Sequence, residues 1–286
     1  MRSAITPYLL LLPFFGLFVL FTIAPIIYTI GISFYNSPPF AHTFFTHPAG
    51  LSNYERAISD NTFWSGYRNM GILTLMWLPV MLVLSILIAI FLDSRRGKIG
   101  ALGKIVVFLP YGVPSVIGSL MWSYMYNPVG PVPLVLSIFG LHANLLSPQN
   151  ILYALLNIIV WEWVGYNVVI LLAGLNSIPR TYYEVAKLDG ASSLQVFRHI
   201  KLPMLAKYII FISMLTVIGD FLLFNEPYVL NIISSVSIGF TPNLYIYYLE
   251  YGLIEFNYAS AVSIVVIAIS LVIAIVSVRF VFRGER

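Results

Sequence analysis

Three carboxylates stand in stretches that are otherwise almost free of charge: Glu162, Asp220 and Glu226. Trp163 follows the first of them directly and Tyr166 lies one helical turn on. Tyr111 sits alone between Pro110 and Gly112. Carboxylates beside aromatic rings suit a polyhydroxylated solute, because the acid accepts hydrogen bonds from hydroxyls while a ring covers the apolar C–H face of a sugar. A second use stays open, in which Glu162 and Asp220 pair with other helices for packing and the Trp and Tyr serve as interface anchors. Acid–base catalysis by Glu162 and Asp220 would need a positioned nucleophile or a metal site as well. The sequence supplies neither: it has no cysteine, its four His are scattered at His42, His47, His142 and His199, and no catalytic residue and no metal ligand is expected.

These residues must be carried by membrane-spanning helices. Of 286 residues, 59% are hydrophobic and only 9% charged, too few charges for a water-soluble coat. Apolar runs near or above the roughly 20 residues that cross a bilayer recur along the chain. Spans are expected near residues 8–34, 67–92, 105–126, 151–176, 205–231 and 258–280, six in all, with seven as the alternative. The first run is too long for a signal-peptide core and lacks a cleavage site, so it is expected to be retained and the working chain to begin at Met1. Asp220 then lies about 20 Å along a helix from Lys207, at 1.5 Å per residue. A charge that deep costs about 2.5 to 3.5 kcal/mol on insertion scales, so it is expected to face a cavity or a partner.

The basic residues orient the spans. If Arg2 is inside, alternation places residues 93–104, 177–207 and the tail after Val278 inside as well, and these segments together with Arg2 hold 13 of the 15 Lys and Arg, with Arg56 and Arg68 the exceptions. Both termini are expected in the cytoplasm. A net charge of +4 is accounted for in this way, without nucleic acid as a partner.

Residues 178–203, the fourth-to-fifth connection, are too structured for a passive loop. Pro179 suits a first-turn position and opens one short helix. Asp189-Gly190 ends it, since Gly accepts the left-handed backbone of a helix stop. Ser192 and Gln195 have the spacing of a capping box for a second helix, on which Leu194, Phe197 and Ile200 share a side, and Pro203 is expected to separate it from the fifth span. Glu184, Lys187, Asp189, Arg198 and Lys201 surround a small turn of Gly190 and Ala191, where another protein's surface can come close and charges can set its register.

Glu184-Val-Ala186, three residues, Gly190, nine residues, then Ile200-x-Leu202-Pro203 resembles the EAA loop of bacterial and archaeal ABC importer permeases. One position departs from the pattern: Val185 stands where the family usually has Ala. Further stretches, Trp161 to Asn167, Ala173 to Pro179, Phe224 to Leu230 and Tyr258 to Ser263, are similar to the MalF-type sugar permeases. After Leu230 this chain reads Asn231-Ile-Ile-Ser-Ser-Val236 where that family often has Thr and a Gly-Gly-Pro turn.

The resemblance implies a single all-α permease domain over residues 1–286 in the cell membrane of a bacterium or archaeon. It implies a coupling helix docked on a separate ATPase, with Glu184, Ala186, Asp189, Gly190 and Ala191 at the contact and Leu194 and Phe197 packing beneath it. Partners by resemblance are a second, MalG-like permease, a MalK-like ATPase dimer, an extracytoplasmic solute-binding protein, membrane lipid and a sugar. Tyr111, Glu162, Trp163, Tyr166 and Asp220 would line the pathway. The chain has no phosphate-binding loop, so it is expected to bind no cofactor, with ATP and Mg held by the partner ATPase. A polyol or a glycerol-phosphate compound remains an alternative cargo. A membrane scaffold would leave the EAA loop unexplained.

Overall fold

Prolines and glycines decide where this mostly helical chain bends. The computed structural model describes residues 6–38, 44–95, 97–234 and 236–283, so the expectations placed on Arg2, His42, Arg96 and the last three residues lie outside the described residues. In chain order the elements are α1 (Thr6–Phe18), α2 (Ala24–Ser33), β1 (Tyr35–Asn36), β2 (His47–Pro48), α3 (Ser52–Ser59), α4 (Asn61–Ser94), α5 (Gly97–Phe108), α6 (Ser115–Tyr126) and α7 (Pro131–Ile138). They continue with α8 (Ile151–Asn176), α9 (Arg180–Leu188), α10 (Ser193–Val196), α11 (Leu202–Asp220), α12 (Asn225–Ile233), α13 (Pro242–Tyr251) and α14 (Phe256–Arg283). Among the described residues five continuous helical stretches are long and apolar enough to span a membrane, and a sixth is a broken pair built on α5 and α6. The protein is an all-α integral membrane protein with the expected number of spans.

Two spans differ from their expected form. The third is not one straight helix: α5 leads through a 3₁₀ turn, Leu109–Gly112, and the chain bends by 97° before α6. Pro110 and Pro114 each remove a backbone donor, and Val113, the residue before Pro114, is extended at φ −82°, ψ 128°, as the clash with a following proline ring requires. The fifth stops at Asp220, turns through Leu222 and Leu223, whose N–H groups donate to the carbonyls of Gly219 and Asp220, and resumes as α12.

Pro203 does the reverse of what the sequence suggests. It lies in the first turn of α11, and helix is continuous from Ser193 to Asp220 through a π-helical turn, Phe197–Lys201. The same device joins α1 to α2, where the π-helical turn Val19–Ile23 immediately precedes Ala24-Pro25. A proline interior to a helix lacks an N–H and crowds the carbonyl four residues back, and one widened turn accommodates both defects without ending the helix.

The described residues form two compact units. One comprises Met1–Trp64 with Pro242–Ile269. Here Asn53 donates to the carbonyls of Ser33 and Tyr35 (3.0 and 2.9 Å), and Asn257 to those of Ile32 and Phe44 (2.9 and 2.8 Å). The two buried amides thereby satisfy the carbonyls of Ile32 and Ser33 at the end of α2, and tie that end to Tyr35 and Phe44 in the segment that follows. The other unit comprises Ser65–Thr241 with Ser270–Arg286. Its core packs Ala89 and Leu92 of α4, Val168, Leu171, Leu172 and Leu175 of α8, and Leu205 and Ile212 of α11, all buried.

Candidate functional site

Gly165 places the site. A Cβ there would collide with the backbone carbonyl of Val107, so only glycine lets α8 lie directly against the backbone of α5. That approach brings Trp163 and Tyr166, on either side of Gly165, to Tyr111 in the turn just past α5. The rings of Tyr111 and Tyr166 stack with centroids 5.0 Å apart and an interplanar angle of 26°, and Trp163 meets Tyr111 edge-on at 5.4 Å. On another side of α8, Gly118 of α6 packs against the indole of Trp161.

The aromatic cluster forms one wall of a 390 Å³ cavity whose lining includes Glu162, Asp220 and Glu226. All five residues expected on the pathway therefore meet at one place. The breaks that displaced the expected span boundaries are what open it: the α5–α6 bend presents Tyr111, and the α11–α12 turn presents Asp220. Discontinuous helices are the usual way a membrane protein exposes polar groups at depth without orphaning its backbone. At Gly219 a Cβ would meet nothing within 4 Å, so this glycine leaves space in the cavity.

The three carboxyls have different surroundings. Glu162 and Glu226 are buried and hydrogen-bonded to each other. The turn before α12 folds Glu226 inward, to the cavity. Asp220 is 2% exposed, and among the described residues neither of its oxygens finds a hydrogen-bond partner. The Trp77 indole N–H faces it and closes no hydrogen bond either. Trp77, Asn167 and Thr216 also line the cavity and were not anticipated. Thr216 is one turn before Asp220 and Asn167 one turn after Trp163, so helical spacing was the available signal.

The loop of residues 178–203 folds as two helices joined at a stop. Pro179 is the cap before α9 (φ −59°, ψ 137°), one position earlier than expected. Gly190 adopts φ +71°; its N–H donates to the Lys187 carbonyl at 3.2 Å and that of Ala191 to the Ala186 carbonyl at 2.9 Å. Those two bonds define a Schellman stop, which needs the left-handed residue that glycine supplies. Ser192 and Gln195 close the expected capping box, the Ser192 N–H donating to Gln195 Oε1 at 2.7 Å and the Gln195 N–H to Ser192 Oγ at 3.3 Å. Glu184, Asp189 and Gly190 are exposed and Ala191 partly so. Ala186 is only 8% exposed and turns into the loop. Leu194, expected beneath the contact, is 72% exposed, and Phe197 is half-buried. The apolar surface actually presented is that of Tyr182, Val185, Leu188 and Leu194. Lys201 pins the end of the loop to the second span through a 2.7 Å ion pair with Asp93.

Residues 58–284 match the family model of the binding-protein-dependent transport system inner membrane component. The chain belongs to that family. The permease is 31% identical to the arabinooligosaccharides transport system permease protein AraP of Bacillus subtilis (strain 168), over 98% of this chain and 90% of that one. It is 33% identical to the trehalose/maltose transport system permease protein MalF of Thermococcus litoralis, over 80% of this chain and 78% of the relative. Its fold matches a chain in the crystal structure of a bacterial alginate ABC transporter in complex with alginate pentasaccharide-bound periplasmic protein, with a TM-score of 0.82 and 22% identity over 95% of this chain and 92% of that one. The chain is thus a transport component of the inner membrane that works with a solute-binding protein.

Proposed function

We propose that this permease translocates a carbohydrate through the cavity between α8, the α5–α6 bend and the α11–α12 turn. The observation that carries the reading is the meeting of Tyr111, Trp163 and Tyr166 with the unpartnered Asp220 carboxyl in one 390 Å³ space. A stacked aromatic face covers the apolar side of a pyranose or furanose ring, and a buried acceptor with no protein donor takes hydroxyl hydrogens. The named cargoes of the two sequence relatives, arabinooligosaccharides and trehalose or maltose, support the same class.

Transport is driven from outside this chain. In this reading a MalK-like ATPase dimer, holding ATP and Mg, docks on α9 and the stop after it through Glu184, Asp189, Gly190 and Ala191, with Val185, Leu188 and Leu194 giving the apolar contact. Ala186 and Phe197 shape the loop from within. The Lys201–Asp93 ion pair carries its displacement to α4. A second, MalG-like permease completes the pathway, the solute-binding protein delivers cargo from outside, and the whole chain works as one permease domain in the cell membrane of a bacterium or archaeon. Both termini are cytoplasmic on the distribution of basic residues; labelling of a single cysteine at Ser192 by an impermeant thiol reagent from outside would reverse that orientation.

Two variants separate the coupling loop from the cavity. Gly190→Val places a β-branched residue at φ +71°, which such residues avoid, and Asp220→Ala deletes hydrogen bonds to hydroxyls, each contributing on the order of 1.5 to 3 kcal/mol when charged. In proteoliposomes of the assembled importer, Gly190→Val is expected to lose both uptake and the stimulation of ATPase activity. Asp220→Ala is expected to lose uptake at least about tenfold per complex recovered while the ATPase still assembles. Undiminished uptake per complex in the Asp220 variant would rule the carboxyl out of the pathway.

A further inference from the structure

α4 buries a stripe at helical spacing, Met70, Leu73, Trp77 and Met81, and in it the Trp77 indole supplies the side-chain donor. α11 buries Leu205, Ile212, Thr216 and Asp220, a stripe that turns from apolar to polar as it nears the cavity. Trp77, Thr216 and Asp220 all line that space. The Trp77 N–H faces the Asp220 carboxyl, yet among the described residues neither the indole nitrogen nor either carboxyl oxygen finds a hydrogen-bond partner. Trp77 is 4% and Asp220 2% exposed, so bulk solvent does not replace one. A buried polar group left open lowers stability, and phenylalanine and leucine would fill the two positions without that loss.

The two open groups ask for one kind of partner. A hydroxyl accepts from the indole N–H and donates to the carboxyl at the same time. An ammonium group only donates, an ether or O-methyl oxygen only accepts, and a C–H group does neither. The requirement does not depend on charge, because a protonated Asp220 keeps a carbonyl oxygen that accepts. Beside Asp220 there is room for such a group, since at Gly219 a Cβ would meet nothing within 4 Å. A resident water meets the same two demands, and binding of deoxygenated sugars separates it from a cargo hydroxyl.

We propose, building on the carbohydrate reading above, that Trp77 is a specificity-determining residue: with Asp220 it forms a donor–acceptor pair that reads a single hydroxyl of the cargo. The wall of Tyr111, Trp163 and Tyr166 covers the face of a sugar ring whatever its substituents, and this pair adds discrimination between hydroxyl and hydrogen at one position. A site built to bond a hydroxyl rejects the analogue that lacks it, because the buried groups then stay open.

The test uses the purified importer, permeases with ATPase subunits, without the binding protein, so that the cavity alone reports. Equilibrium binding of maltose, trehalose, lactose and arabinobiose is measured, and each sugar that binds is compared with its monodeoxy and mono-O-methyl analogues. For at least one sugar, loss of one hydroxyl is expected to weaken binding at least about tenfold, and its methylation as much. Trp77→Phe keeps a ring and deletes the donor, while Asp220→Ala deletes the acceptor. Each is expected to weaken the parent sugar and to shrink the parent-to-deoxy ratio at that position to about threefold or less, because the analogue has already lost what the variant removes. Trp122→Phe removes another unpartnered indole N–H, on a residue that is not among the described cavity lining, and is expected to leave the ratio unchanged. A ratio that persists in either cavity variant that folds, a ratio that falls equally in Trp122→Phe, or equal binding of every deoxy analogue by the wild type overturns the hydroxyl-reading pair and leaves the carbohydrate reading standing. Failure of every sugar to bind overturns both.

Discussion

Two aspartates at helix ends in this permease show opposite ways of handling a carboxylate. Asp60 stands just before α4. It receives the N–H groups of Thr62 and Phe63 on Oδ1 at 2.8 and 3.3 Å, and the hydroxyls of Tyr245 and Tyr258 on Oδ2 at 2.6 and 2.7 Å. It caps the N-terminus of a 34-residue helix, where both orphan amides and the helix dipole favour a negative charge. Asp220 is more deeply buried, ends a helix at the pole that disfavours its charge, and faces the Trp77 indole N–H without any donor among the described residues closing a hydrogen bond to it. One carboxylate is therefore spent on holding its own unit together. The other is left free for something the chain does not contain, and an unpartnered buried carboxylate is retained at a cost to stability that structure alone does not offset.

The comparison fails if Asp60 proves dispensable. Asp60→Ala leaves two tyrosine hydroxyls and two amides without their acceptor, and is expected to destabilise the detergent-solubilised protein by about 2 to 4 kcal/mol, a drop in apparent melting temperature of roughly 5 to 10 °C. A drop of under about 1 °C would show that these four hydrogen bonds are replaceable by water.

Acid is the milder probe of the same residue. Burial opposes ionisation of Asp60, but the two tyrosine hydroxyls and the amides of Phe63 and Thr62 outweigh it and hold the carboxyl below its ordinary value. A folded-state value lower than the unfolded one means that the unfolded chain binds the proton more readily. The stabilisation is thus complete above the ordinary carboxylate range and is lost as pH falls through the folded value, from about pH 4 downward. Melting curves of wild type and Asp60→Asn between pH 3 and 6 should converge at the acid end, and parallel curves would assign the acid sensitivity elsewhere.

The smallest effect, and the one of opposite sign, is expected at the other aspartate. Asp220→Asn replaces a buried unpaired acid by a neutral side chain of the same shape, and should raise the melting temperature by a few degrees, about 1 kcal/mol, while lowering transport. A melting temperature lowered as far as in Asp60→Ala would make Asp220 a structural residue and end the contrast.

Much of this was legible along the chain because its causes are local. Composition and run length determined the all-α membrane class and the number of spans. The caps of residues 178–203 followed from glycine's access to positive φ and from Ser-x-x-Gln spacing, both properties of a few consecutive residues. Even the residues of the cavity could be named, since a charge in an apolar run must answer for itself wherever the run folds. What the sequence could not decide was anything set by groups far apart in it. Pro203 and Pro110 are the same residue type, yet one is absorbed by a π-helical turn and the other joins a 97° bend, because each outcome depends on what the neighbouring helices allow. Glu162 and Glu226, 64 positions apart in the numbering, share a hydrogen bond only because the α11–α12 turn brings them together. The four donors of Asp60 include two tyrosines more than 180 residues away, and nothing near Asp60 announces them. Local spacing specifies backbone geometry and burial preference; only tertiary packing decides which acids find donors in the chain and which are left free for the cargo.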